Sequence, residues 1–333
     1  MLIVHPDVVI SRTNDSLIVE DNNIELTFHG ESADAAAAVL RSAPNCRTLS
    51  DLSSQVQLSL GVVKQICSAL EEEYLLLDLS NAGKLSKRSL MTKIREASVF
   101  WNKHIMSQTF PRRLFAGEAT SNEVLGWGIE HYFFVRAANE YMALGASRTD
   151  GSTNHLAELW SHYAEEALHD EIFLRGLTGC GLDQQEIVHR SPIPSTYALT
   201  NFLFEKSIES ALAYASVFCV MQAKSTPMTR EAIEDKYNNM RFHYDFAYPL
   251  FNAFEEHDKI DADLNHATLT LEPIIEMLRP LSENQVKTIF DTIEQTANHF
   301  IIFFEGIPKH YKTTRSVNYR QQPNAVAAAL LEQ

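Results

Sequence analysis

The pattern of hydrophobic and polar positions changes near residue 90. Before that point, the short β-prone runs VVIS, SLIVE and IELTFH alternate with turns rich in Asn and Asp, such as residues 13–15 and 21–23. Three segments with helical periodicity follow, and a further β-prone run, LLLDL, ends the region. The pattern therefore predicts a small α+β domain of the winged-helix type over residues 1–88, with three strands, three helices and a wing.

From residue 89 onward, long runs with helical periodicity are separated by Pro and Gly. This pattern predicts one all-α domain over residues 89–315, followed by a C-terminal tail over residues 316–333. The predicted helices span residues 90–107, 123–144, 154–177, 183–188, 194–222, 229–256, 261–278 and 283–304. The fold class is therefore mainly α, with a small α+β domain in front.

One predicted helix carries residues that are typical metal ligands. His162, Glu166 and His169 are spaced HxxxExxH, and offsets of four and seven residues place them on one helix face. Two imidazoles and a carboxylate suit a divalent iron, manganese or zinc ion. A second pair, His257 and Asp261, is spaced HxxxD. An isolated HxxxExxH more often belongs to a solvated helix face. Because helical bundles assemble metal sites from facing helices, the two segments together predict a site inside the bundle.

Several other polar residues are candidates for supporting roles. Glu165, Asp170 and Glu256 are expected to orient the imidazoles or to relay protons, unless they belong to the solvated surface. Arg136 is expected to face the interior and to bind a substrate carboxylate, or else to form an internal salt bridge. His131 is surrounded in sequence by aromatic residues, which favours a core residue with hydrogen bonds over a further ligand.

Composition narrows the partners and the compartment. A formal net charge of −15 and the lack of a basic run argue against binding to nucleic acid. The four cysteines are scattered without a CxxC motif, so neither a zinc ribbon nor a disulfide framework is expected. The first residues do not form a signal peptide, and no apolar stretch is long enough to span a membrane. We therefore expect a cytoplasmic protein.

The helical region resembles a known family. Four runs carry the resemblance: FPRRLFAGEATSNEVLGWGIEHYFFVRAA, the HxxxExxH helix, RGLTGCGLDQQEIVHRSPIPSTYALTNFL and AFEEHDKID. Over roughly residues 100–305 they are similar to the haem-oxygenase-like fold, in the branch of pyrroloquinoline-quinone synthase, the TenA thiaminases and the diiron oxidases. The N-terminal region resembles the PqqD-like domains, which bind a leader peptide as an added strand. Its alternative role is an accessory or dimerisation domain.

The resemblance implies iron as the cofactor, as one or two ions, with O2 as co-substrate. It implies that Glu166, His169, His257 and Asp261 are iron ligands, and His162 stands where several members have Glu. The chain departs from the diiron pattern at two positions. Met221 and Gln222 occur where a bridging Glu is usual; Leu264 occurs where a further His is usual, with His266 two residues later as the candidate ligand. One ion, or weak binding of a second, is therefore expected.

Three functions remain open at this point. The first is a non-haem iron oxidase or oxygenase that acts on an amino-acid-derived or peptide-linked substrate in a biosynthetic pathway, with Glu165 and Arg136 as catalytic residues. The second is a metal-free enzyme like the quinone synthase or the thiaminases, and the third is a binding partner without catalysis. The late HxxxD favours the first, because acid–base catalysis does not need ligands from two helices. The family resemblance also implies a homodimer.

Overall fold

The architecture is that of a computed structural model, which describes residues 1–13, 15–21, 24–147, 153–222, 229–263, 270–277 and 280–312. Within these residues the chain divides into two compact units. Unit 1 contains Met1–Ser107 and Leu278–Glu294, and unit 2 contains Gln108–Met277 and Gln295–Gln333. The predicted domain boundary after residue 88 stays a prediction.

Unit 1 is a small α+β structure, as the sequence pattern predicts. The three predicted strands form one antiparallel sheet in the order β2 (Val9–Arg12), β3 (Ser16–Glu20) and β4 (Glu25–His29). The run LLLDL does not form a hairpin wing, because its strand, β5 (Leu76–Asp78), pairs antiparallel with β1 (Leu2–Val4), a strand near the N-terminus that the pattern missed. The elements are β1 (Leu2–Val4), β2 (Val9–Arg12), β3 (Ser16–Glu20), β4 (Glu25–His29), α1 (Glu31–Ser42), α2 (Leu49–Val56), α3 (Leu60–Glu72), β5 (Leu76–Asp78) and α4 (Lys87–Ser107).

The core of unit 1 follows from the alternation along β3. Leu17 and Val19 are buried while their neighbours are partly exposed, as expected for a strand with one face on the core. These two side chains belong to one cluster with the buried face of α1, which includes Ala36 and Val39, and with Leu70 of α3. Whether this unit binds a peptide stays a prediction.

Unit 2 is entirely helical in its described residues, which confirms the predicted class. Its long central helix, α6, is buried along most of its length and packs against α7, α8 and α10. The helices are α5 (Thr109–Phe115), α6 (Ser121–Ala146), α7 (Thr153–Glu166), α8 (Asp170–Gly179), α9 (Gln184–His189), α10 (Pro194–Glu209), α11 (Ala211–Gln222), α12 (Arg230–His243), α13 (Tyr248–Asp263), α14 (Leu271–Met277) and α15 (Glu283–Tyr311), the last of which begins in unit 1.

Three predicted helices are divided in the structure, so their predicted extents are wrong. The helix predicted over 194–222 ends at Ser210, whose extended backbone and hydroxyl cap the following helix; the Ala213 backbone N–H donates to Ser210 Oγ at 3.0 Å. The helix predicted over 229–256 is interrupted by a 3₁₀ turn at Asp245–Ala247. The helix predicted over 154–177 is divided between α7 and α8.

Two further observations concern cysteine and the membrane. All four cysteines are buried, and none of them forms a disulfide. Among the residues that the structure describes, no helix combines the length and the apolar character that a membrane crossing requires.

Candidate metal centre

The break between α7 and α8 lies inside the HxxxExxH motif. Helix α7 ends at Glu166. Two residues later, Leu168 adopts the left-handed backbone conformation with φ of 68°, and 62% of its surface is exposed. Asn139 of α6 holds this turn, since its Oδ1 accepts from the Leu168 backbone N–H and its Nδ2 donates to Asp170 Oδ1, both at 2.9 Å. A left-handed Leu costs about 1–2 kcal/mol. Two hydrogen bonds of about 1 kcal/mol each are large enough to offset that cost.

The break brings three predicted ligands together. His169 precedes α8, and its Nδ1 lies 3.1 Å from Glu166 Oε2. His257 comes from α13, and its Nε2 lies 4.0 Å from the same oxygen. One potential ligand atom from each of Glu166, His169 and His257 lies within 4.8 Å of the others. The junction between α7 and α8 and the helix α13 therefore bring a carboxylate and two imidazoles close together.

A second group shares His257 with the first. It contains His257, Asp258 and Asp261, all on α13. Asp258 already accepts from Lys236 Nζ at 2.9 Å and from the Tyr237 hydroxyl at 2.8 Å. Asp261 Oδ2 lies 3.6 Å from His257 Nδ1, one turn away on the same helix. The prediction that Asp261 begins a separate helix is wrong, because α13 continues through Asp261 to Asp263. The Asp261 carboxylate nevertheless lies beside the His257 ring.

The charges of this group follow from the contacts between Glu166 and the imidazoles. Burial by itself would raise the pKa of Glu166, but the hydrogen bond from His169 and the charges of the neighbouring imidazoles outweigh it and lower the pKa to about 2. The same hydrogen bond raises the pKa of His169 above its ordinary value, and burial opposes it. Glu166 is therefore an anion, and a metal ion would compete with a proton for the ring of His169.

His162 lies beside this group. Its Nε2 is 3.9 Å from Glu166 Oε1, and its ring makes an edge contact with Phe218. Its Nδ1 is 3.5 Å from the Thr270 hydroxyl. Gln222 holds that hydroxyl, since Gln222 Nε2 donates to Thr270 Oγ1 and Gln222 Oε1 accepts from the Thr270 backbone N–H, both at 2.8 Å. His162 is thus oriented by a chain of polar contacts from α11 and the start of α14.

Aromatic side chains form one wall of the centre. The Phe173 ring lies 5.2 Å from that of His257, and Phe254 contacts Phe173 and stacks on Trp127 at 4.2 Å. His131 lies among these rings, and burial followed by the charge of His257 lowers its pKa to about 3. His131 is therefore a neutral residue of an aromatic cluster, in line with the core interpretation.

The remaining candidates lie elsewhere in the structure. Glu165 accepts from the Ser161 hydroxyl one turn earlier, and Glu256 pairs with Arg175 in an exposed salt bridge. The expectation that Arg136 faces the interior is wrong. It is exposed and donates to the Val188 backbone oxygen, because the buried face of α6 is already filled by aromatic side chains. His266 lies outside the described residues. Catalytic roles for Glu165 and Arg136 stay predictions.

Asn139 and Thr270 are the supporting residues that the sequence pattern missed. An Asn inside a long apolar helix has low helix propensity, which was the one local signal for Asn139. Thr270 carries no signal of its own, because its role depends on Gln222 and His162, which are distant in sequence. Both contribute through contacts between segments that are far apart along the chain.

Comparisons with known proteins identify the fold and the family of the chain. The sequence profile of a family described as iron-containing redox enzymes matches residues 125–299, and no curated protein matches the chain. A solved domain of unknown function with a heme oxygenase-like fold, from Shewanella denitrificans, is 19% identical, with a TM-score of 0.55 over 71% of this chain and 99% of that one. A TenA homologue from Pseudomonas syringae pv. tomato is 11% identical, with a TM-score of 0.51 over 66% of this chain and 92% of that one. These structural similarities establish a haem-oxygenase-like fold. Because the sequence profile matches more than half of the chain, the chain belongs to the family of iron-containing redox enzymes.

Proposed function

We propose that the protein is a non-haem iron oxidase or oxygenase that uses O2 on an amino-acid-derived or peptide-linked substrate. The observation that carries the proposal is the convergence of Glu166, His169 and His257 within 4.8 Å. Two imidazoles and an anionic carboxylate are the donor set that ferrous iron prefers in O2-activating enzymes. The residues therefore fit the metal that the family description names.

Each side chain has a defined task in this proposal. Glu166, His169 and His257 hold the ion, and Asp261 supplies a further carboxylate or orients the His257 ring. Bound ferrous iron supplies the ability to reduce O2 and thereby to oxidise an unactivated substrate bond. The wall formed by Phe173, Phe254 and Trp127 keeps bulk water from this side of the centre, and neutral His131 adds no charge there.

The function is tested by anaerobic loading with Fe(II), followed by metal counting and exposure to O2. We expect iron to bind and O2 to be consumed, with a visible absorption change that the metal-free protein does not show. A chain with Asp7→Asn serves in parallel, because Asp7 lies beside His5 and His104 in a second group of potential metal ligands that could add to the iron count. If no iron is retained, the proposal is wrong. The protein is then either a metal-free enzyme or a binding partner without catalysis.

We further propose that each chain holds one iron ion. Where the diiron pattern has a bridging Glu, this chain has Met221 and Gln222, and the Gln222 amide forms two hydrogen bonds of 2.8 Å with Thr270. A neutral amide provides no negative charge to hold a second cation. The arrangement instead supports a role for Gln222 in orienting His162.

Gln222→Glu is expected to raise the iron content from one ion per chain toward two. The new carboxylate would supply the charge that the second ion needs. Gln222→Met is the matched control, because it removes the amide without adding charge and should leave the content at one. Metal analysis after anaerobic loading measures both. An unchanged iron content in the Gln222→Glu chain would show that the missing bridging carboxylate is not what prevents a second iron ion from binding.

A further inference from the structure

A second cluster of metal-ligand side chains lies in unit 1. One potential ligand atom from each of His5, Asp7 and His104 lies within 4.8 Å of the others. His5 follows β1, Asp7 lies in the next turn, and His104 lies in the last turn of α4. The cluster shares no residue with the proposed iron centre.

The contacts of the cluster place its polar atoms close together. His104 Nδ1 lies 2.7 Å from Asp7 Oδ2, and the Ser107 hydroxyl donates to the same oxygen. His5 Nδ1 lies 4.0 Å from Asp7 Oδ2, and the His5 and His104 rings meet edge to face with centroids 5.3 Å apart. These distances are short enough for small side-chain movements to bring all three ligands onto one ion.

The burial and the unsatisfied ring nitrogen of His5 indicate that the cluster does more than join two segments by hydrogen bonds. The residue is 2% exposed, and its Nε2 is buried with no hydrogen-bond partner among the residues that the structure describes. Its Nδ1 accepts only a long hydrogen bond, 3.3 Å, from the Asp7 backbone N–H. A buried imidazole whose polar atoms are poorly satisfied costs folding free energy, and a metal ion bound at a ring nitrogen gives that nitrogen a strong partner.

We propose that His5, Asp7 and His104 bind a divalent transition-metal ion, zinc being the best match. Two imidazoles and one carboxylate are a common set of protein ligands for zinc, and a water molecule or the Ser107 hydroxyl completes four-coordination. The ion joins the segment after β1 to the last turn of α4, two parts of unit 1 that are about a hundred residues apart in sequence. Its role is to hold the N-terminal strand in place on its unit.

The test is a zinc titration of the full chain carrying Glu166→Gln and His257→Ala, so that the iron centre cannot contribute. We expect one zinc ion per chain to remain after desalting, and zinc to raise the melting temperature. Adding Asp7→Asn or His104→Ala should weaken zinc binding by at least about tenfold and abolish the temperature shift. His29→Gln is the matched control, since it changes an exposed histidine of the same unit and should leave binding unchanged.

Two results would overturn the proposal. One is a full chain with a disabled iron centre that retains no zinc at all. The other is a zinc affinity that Asp7→Asn leaves unchanged. In that case the cluster is only a set of hydrogen bonds in which Asp7 accepts from His104 and Ser107. Asp7→Asn preserves size and shape, so it decides the question even if His104→Ala fails to fold.

Discussion

Glu166→Gln is expected to lower iron affinity by about 100-fold or more, which corresponds to about 3 kcal/mol. Glu166 is the centre of the ligand group, because its carboxylate oxygens lie within 4.0 Å of His162, His169 and His257. The hydrogen bond and charges that lower its pKa to about 2 keep it anionic, whereas the Gln amide is neutral. The measurement is anaerobic Fe(II) titration followed by metal analysis.

Glu165→Gln is the matched control for this experiment. It removes a carboxylate at the adjacent position, where Glu165 accepts from Ser161 in an exposed contact. Its iron content should equal that of the unmodified chain. If both variants bind as much iron as the unmodified chain, Glu166 is not an iron ligand. If both lose iron, the loss reflects damage to helix α7 and not the removal of a ligand.

Glu123→Ala is expected to lower the free energy of unfolding at pH 7 by about 3 kcal/mol. The Glu123 side chain is fully buried and accepts two hydrogen bonds from the Arg113 guanidinium, at 3.1 and 2.9 Å. It also accepts from the Thr120 backbone N–H at 2.7 Å, which completes the capping box of α6. The variant leaves Arg113 without its partner and leaves the first turn of the central helix uncapped.

The pH dependence of this loss identifies its cause. Burial alone would raise the pKa of Glu123, but the Arg113 and Thr120 contacts outweigh it and lower the pKa below the ordinary value of 4.5. A carboxyl with a lowered folded pKa stabilises the fold above its unfolded pKa, and that stability is lost as pH falls through the folded pKa. Denaturant unfolding should therefore show a large difference at pH 7 that shrinks below about pH 4.5. The exposed Glu118→Ala is the control, with a change within about 0.5 kcal/mol. An equal loss at pH 7 and pH 3 would mean that packing, not charge, explains the effect.

Local patterns predicted much of the fold. The alternation in SLIVE predicts β3 and its buried residues Leu17 and Val19, and helical periodicity predicts nearly every long helix of unit 2. Helix ends were harder to predict, because Ser210 and Asn139 interrupt apolar-periodic segments by hydrogen bonds that periodicity does not contain. Strand β1 was missed for a similar reason, since its partner β5 is more than seventy residues away.

The sequence by itself determined the ligand types, since HxxxExxH and HxxxD place imidazoles and carboxylates one turn apart on helical segments. Only the tertiary structure decided how these ligands meet. Asn139 of α6 holds Leu168 in a left-handed turn, and this turn interrupts the helix between Glu166 and His169. Packing of α13 against α8 then brings His257 to the same carboxylate. The physical reason is that periodicity depends on neighbours within a few residues, whereas a helix break and a shared ligand point depend on contacts between distant segments.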